Sequence, residues 1–249
     1  MSGNLSITET QIFTGVVSVL GSFGLASSSG GSVPIIRGQV NRVPEPAAAD
    51  FVVLWPLMRD RIATNQDTPS DNQVTASIAS GVMTVSAVIT GAVPVPGSLW
   101  GAGLATAGAT ITGQLTGNPG GIGTYSVTGA ANVGAATLYC GTSANLMQTE
   151  LTIQADVHGP ASADNATRIQ ALWRDQYAVS AFQGTGYDLA PLYTSDPRQT
   201  AFENGEQQIE ERWSIDLCLQ ANPIVTTPMQ FAGTLDVTTY PVDVLQPVE

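Results

Sequence analysis

Three features of this 249-residue sequence predict an α+β fold with an inserted all-β module. From Arg212 to Gln220 polar and apolar residues alternate strictly. Trp213, Ile215, Leu217 and Leu219 fall on one face and Arg212, Ser214, Asp216, Cys218 and Gln220 on the other, as in a half-buried strand. Helical spacing marks two apolar stripes, one at Ile12, Val16, Val19, Leu20 and Phe23, the other at Ile169, Leu172, Trp173 and Phe182. Between Asn72 and Thr149 there is no Asp, Glu, Lys or Arg, and glycine recurs between short Val, Ile, Thr and Ala runs. That is the turn-punctuated pattern of a small β unit. The predicted organisation is a discontinuous α+β domain over residues 1–71 and 150–249, with a charge-free, glycine-rich β module inserted over 72–149. The domain is expected to hold a mixed or antiparallel sheet, a long C-terminal hairpin and two packing helices.

The elements follow in order. Ser6 or Thr8 caps the first helix, since both have capping-box spacing, and Ser27 to Gly31 ends it in a flexible link. Val33 to Val43 reads as a strand, with Pro34 at an edge or start, and Pro44-Glu-Pro46 turns the chain. The apolar run Phe51 to Met58 predicts a strand buried on both faces and broken or bulged near Pro56. Its continuation, Arg59-Asp-Arg-Ile62, reads as a solvated strand end, or as a partner for the acids of 203–211. In the module, Val82 to Val88 and Thr110 to Thr112 are strand-like, with Trp100 and Tyr125 as anchors. After it, Leu151 to Val157 alternates as a strand that His158-Gly-Pro160 ends. Ser162 or Asp164 caps a helix that Gly184-Thr-Gly186 closes, and Leu189 to Tyr193 forms a short strand before the turn at Asp196-Pro197. The Arg212 strand stops at Asn222-Pro223, and Phe231 to Thr239 supplies its expected hairpin partner.

Composition excludes several chemistries. The 8 basic residues are all arginine, against 20 acidic ones, for a net charge of −12. Without lysine there is no P-loop lysine, Schiff-base lysine or Ser-Lys dyad. The acidic balance argues against gripping phosphate backbones, and leaves open a surface that repels passing DNA. Cys140 and Cys218 lack CxxC spacing and read as reduced, buried thiols. Ile12 to Leu25 has no basic residue before it and is too short to span a bilayer, so cytoplasmic synthesis and no membrane partner are expected.

No catalytic group assembles. His158 is the only histidine, and Asp156 shares its strand face by the period of two, but no HxH or HExxH accompanies them. The pair reads as strand-end polar residues. Glu203, Glu206, Glu210 and Glu211 fit no EF-hand and read as a solvated acidic loop or an intersubunit salt bridge to Arg198 or Arg212. These six residues, Arg198, Glu203, Glu206, Glu210, Glu211 and Arg212, are the candidate subunit interface. Gly117 to Gly123 lacks the spacing and following helix of a nucleotide-binding loop. No cofactor, metal or catalytic residue is expected.

The series Ser195-Asp-Pro-Arg-Gln199, Glu203-Asn-Gly-Glu-Gln207, Glu211-Arg-Trp213 and Leu219-Gln-Ala-Asn-Pro223 resembles tailed-bacteriophage neck proteins of the tail-terminator type. The resemblance runs from about Asp156 to Thr239, with weaker support from Val52 to Asn65. The module from Gly103 to Val127 resembles glycine-rich β elements of phage tail and fibre proteins. The resemblance implies a structural virion protein, made in the host cytoplasm, that closes with copies of itself into a ring, a hexamer by the family's symmetry. It further implies tail-tube, sheath and head-completion or connector proteins as partners, with genomic DNA passing through unspecifically. The sequence leaves terminator and collar positions both open. A different reading makes the chain a binding or decoration module of the collar or tail surface, acting through the β insert.

Overall fold

The computed structural model describes residues 4–38, 46–200, 202–203 and 209–232. Along the chain the elements are β1 (Asn4–Leu5), α1 (Glu9–Ser22), β2 (Ile35–Arg37), β3 (Phe51–Arg61), β4 (Gln66–Ser70), β5 (Gln73–Ala79), β6 (Val82–Thr90), β7 (Gly97–Gly101), β8 (Ala109–Gly117), β9 (Gly123–Thr128) and β10 (Val133–Tyr139). There follow β11 (Thr142–Leu146), β12 (Thr149–His158), α2 (Ser162–Trp173), α3 (Gln176–Thr185), β13 (Leu189–Thr194), β14 (Arg198–Gln199), β15 (Phe202–Glu203), β16 (Ile209–Glu210), β17 (Arg212–Ala221) and β18 (Ile224–Pro228). The described residues are mostly β, with three helices, and the chain divides into two compact units. Met1–Thr68 and Ala144–Thr227 make the first, Pro69–Ser143 and Pro228–Glu249 the second.

The first unit is built on a sheet of order β13-β17-β12-β3-β2, with β14 also on β17. All its pairs are antiparallel except β2 with β3. Alternation turns Ile215, Leu217 and Leu219 of β17 and Leu151, Ile153, Ala155 and Val157 of β12 to one side. There they form a single core with Val16, Val19 and Leu20 of α1, Ile169 and Trp173 of α2 and Phe182 of α3. Thr8 caps α1 in a full capping box: its hydroxyl accepts from Gln11 N (3.3 Å), and its own N–H donates to Gln11 Oε1 (2.8 Å).

Three expectations change here. The stripe from Ile169 to Phe182 is two helices, because the Asp175 carboxylate accepts the Tyr177 N–H (2.8 Å) and so caps a new helix where the old one ends. Among the described residues the first unit therefore has three packing helices. The long C-terminal hairpin is not formed, because β12 takes one edge of β17 along its whole length and β13 with β14 take the other. Beyond Pro223 the chain instead joins a second sheet, of order β1-β18-β11-β4, and residues 233–239 of the expected partner lie outside the described residues. Finally, β3 runs on to Arg61, with only Phe51, Val52 and Leu54 buried. Its bulge lies at the expected place, since the partners of β12 jump from Pro56 to Met58 and leave Leu57 unpaired. Arg59 meets Glu9 (2.5 Å). Of the strand expected over 33–43, Ile35–Arg37 is formed and 39–43 lie outside the described residues.

In the second unit β5 to β10 close into a barrel of order β10-β5-β6-β9-β8-β7. Val74, Ile78, Met83, Leu99, Ile111, Tyr125 and Leu138 fill it. The Tyr125 hydroxyl donates to Gly121 O (2.6 Å), so its burial leaves no orphan donor. Gly117 to Gly123 is the β8–β9 turn. Gly117 has φ +94°, and a Cβ there would lie 2.0 Å from Ile122 O, so only glycine fits. The Gln114 side chain spans this turn, donating to Thr116 O (3.1 Å) and Asn118 O (2.6 Å).

Trp173 is fully buried, meets Phe182 edge-on (5.4 Å between centroids) and donates from Nε1 to Cys218 O (3.0 Å). Trp173→Ala is expected to cost about 4 kcal/mol, read as a lowered urea midpoint. We further propose that 72–141 is separable, since β4 and β11, on either side of the barrel, are neighbours in one sheet. Replacing those residues with a short Gly-Ser linker is expected to leave a soluble protein with a cooperative melt. Aggregation of the deletion would show that the barrel is needed for folding.

Candidate functional site

The sheet of the first unit presents its other face away from the helices, and register decides which residues share it. Antiparallel partners place side chains on the same side, so Phe51, His158 and Arg212 form one row and Val53, Asp156, Ser214 and Arg198 the next. Asp156 and Ser214 are both buried, and hydrogen bonds account for it. Arg212 Nε donates to Thr200 Oγ1 (3.0 Å), which lies 3.2 Å from Ser214 Oγ. Ser214 Oγ donates to Asp156 Oδ1 (2.6 Å), which also accepts Gln154 Nε2 (2.7 Å). A guanidinium is thereby linked to a buried carboxylate through two hydroxyls.

His158 stacks on Phe51 (4.5 Å, 8° between planes), and its Nδ1 lies 3.9 Å from Glu210 Oε1. Burial pushes its pKa down to about 4; Asp156 opposes that shift and Arg212 adds to it. Beside it Gly159, at φ +97°, brings its N–H to Glu211 O (3.0 Å), and a Cβ there would lie 2.1 Å from Ala49 O. Buried Asp50 ties down the neighbouring turns. Its Oδ2 accepts Ser28 N (2.6 Å) and Oγ (2.5 Å), and its Oδ1 accepts Ala161 N (2.8 Å). Burial alone would raise this carboxyl's pKa, but the Ser28 and Ala161 bonds outweigh it and hold it below the usual value.

Of the six candidate interface residues, Arg198 is largely exposed and pairs with Asp216 (3.1 Å). Glu203 lies in the β15–β16 ribbon, opposite Ile209. Glu210, Glu211 and Arg212 gather at the His158 end of the sheet, and Glu206 lies outside the described residues. Thr200, Ser214 and Phe51 belong to the same network and carry no sequence signal of it, because lateral register alone brings them together. Among the described residues no group of three or more His, Cys, Asp or Glu side chains is placed to hold a metal ion. Cys140 and Cys218 are free and buried, and burial, with Asp71 adding to it, pushes the Cys140 thiol up to about 12.

Residues 109–244, more than half of the sequence, match the family described as phage neck terminator protein. The chain belongs to that family. A phage neck terminator is a structural protein of the virion, working among other tail and head proteins. The match begins in β8 of the barrel, well before Asp156, and takes in β12, α2, α3 and β17 of the first unit. A search of curated proteins finds no match. No described helix is long and apolar enough to cross a membrane.

The depressed His158 pKa fixes a pH window. Between its unfolded value near 6.5 and about 4 the unfolded chain binds a proton that the folded chain does not, so stability falls as pH drops through that range. The loss is on the order of 3 kcal/mol. Asp50 works in a different window: its stabilisation is present above the unfolded carboxyl value of 3.8 and is lost only below it. Urea midpoints at pH 7.5 and 4.5 are expected to differ clearly for the native chain and much less for His158→Gln. Equal differences would remove His158 as the cause.

Proposed function

We propose that this neck terminator protein is a ring subunit, six copies of which end tail-tube growth and join the tail to the head connector, with the genome passing through. The family match carries this reading. Its partners are then copies of itself, the tail tube, sheath proteins where the tail has them, and head-completion proteins. The role is structural rather than enzymatic. The net charge of −12 and the absence of lysine suit a channel wall that repels the phosphate backbone.

A feature of the first unit supports self-association. On the side of β3 away from β12, β2 pairs only with Val52 to Leu54. Among the described residues no strand pairs with that edge from Trp55 to Arg61, and Leu57 and Met58 are exposed there. Open edges recruit strands, and a head-to-tail contact that closes by rotation makes a ring. Arg198, Glu203, Glu206, Glu210, Glu211 and Arg212 provide the charged part of the proposed contact.

Arg198→Glu and Met58→Glu test it, since both positions are exposed and the Arg198 pair contributes less than about 1 kcal/mol to folding. Native circular dichroism with loss of the ring by mass photometry is expected, and phage carrying the changes should accumulate unjoined heads and tails. A native chain that stays monomeric even with completed tails would overturn the ring.

A further inference from the structure

We propose that the outer wall of the barrel holds a binding site for a cationic side chain, an arginine or lysine presented by a partner protein. Leu99, Leu138 and Val74 point into the barrel, so the residues next to them, Trp100, Tyr139 and Gln73, point outward. Register sets these three side by side, Tyr139 opposite Trp100 on β7 and opposite Gln73 on β5. Gln73 Nε2 donates to Asp71 Oδ2 (2.6 Å) and fixes the carboxylate at the end of this row. The other oxygen, Oδ1, is buried and accepts no hydrogen bond from the described residues. Phe231 closes the site: its ring lies over Gly141, where a Cβ would come within 2.6 Å of it, and Met229 N donates to Gly141 O (2.9 Å).

Together they enclose a pocket of about 210 Å³. That is smaller than the 300–1,000 Å³ or so usual for small-molecule sites, and suits a single inserted side chain. The chemistry selects its charge. Asp71 is the only Asp, Glu, Lys or Arg among the described residues of this unit, so one negative charge stands among three aromatic rings. Ring faces attract cations, and an unpartnered carboxylate oxygen calls for a charged donor. A sugar would need several hydroxyls matched, whereas a guanidinium or ammonium needs this one acceptor and the rings. Residues 232–249 contain no arginine or lysine, so they do not supply the cation. The proposal does not depend on ring formation.

The full chain labelled with 5-fluorotryptophan, its Trp100 signal assigned with Trp100→Phe, gives the test. Titration with Nα-acetyl-arginine amide or Nα-acetyl-lysine amide is expected to move that ¹⁹F resonance saturably. Binding should weaken at least tenfold in Asp71→Asn and several-fold in Tyr139→Ala, an exposed position whose change spares the barrel core. No shift, equal affinity in Asp71→Asn, or a response only to spermidine or only to methyl glucoside would overturn the proposal.

Discussion

The antiparallel ladder between β12 and β17 determines what each face of the first unit can hold. It runs unbroken from Thr149 opposite Ala221 to His158 opposite Arg212. A slip of one residue would turn Leu217 and Leu219 away from the helices and bring the polar residues of β17 into the core. The same register sets Ser214 opposite Asp156, and that hydrogen bond is what makes a buried carboxylate tolerable. Core packing on one face and the hydroxyl chain from Arg212 to Asp156 on the other therefore rest on one alignment. Neither can be re-registered without the other.

Faces were legible in the sequence because they depend on periodicity within one segment. The alternation of β17 and β12, the stripe of α1 and the capping box at Thr8 all needed only local information, and so did the bulge beside Pro56. Edges were not legible. The alternation of Arg212 to Gln220 specifies a buried face but says nothing about which strand lies alongside, and the nearest later alternating run was the wrong choice. Strand β12 is more than fifty residues away and offers a complementary run of equal length. The division between α2 and α3 was locally encoded, by Asp175 ahead of Gln-Tyr, but the apolar stripe continuing through to Phe182 hid it.

The candidate site divides in the same way. That Asp156 and His158 share a face followed from a period of two, and the gathering of Glu210, Glu211 and Arg212 near them follows from the end of the β12–β17 ladder. Thr200, just past the end of β14, and Phe51 of β3 flank that ladder on opposite sides and meet it only laterally. The family resemblance seen in the sequence ran from about Asp156 to Thr239, with weaker support from Val52 to Asn65, yet the family match begins in β8. Glycines at turns with short β-branched runs between them are common to many small β units, so the pattern predicted a β module and a resemblance to phage tail and fibre elements but not its closure into a barrel.

The two units differ in the means of association open to them. A closed barrel has no edge strand, so recognition draws mainly on side chains of its outer wall. Among the described residues of the second unit those are uncharged except for Asp71, which stands beside the pocket's rings. The first unit has the reverse character. Its charged residues are numerous, and some of them pair within the unit, as Arg59 does with Glu9 and Arg198 with Asp216. Beyond Leu54, however, β3 presents unpaired backbone groups among the described residues. Backbone edges bind extended strands with little regard to sequence, while a pocket for one side chain is selective. The self-association proposed for the edge of β3 and the cation site proposed for the barrel wall thus draw on different chemistry, backbone pairing in one unit and side-chain charge in the other.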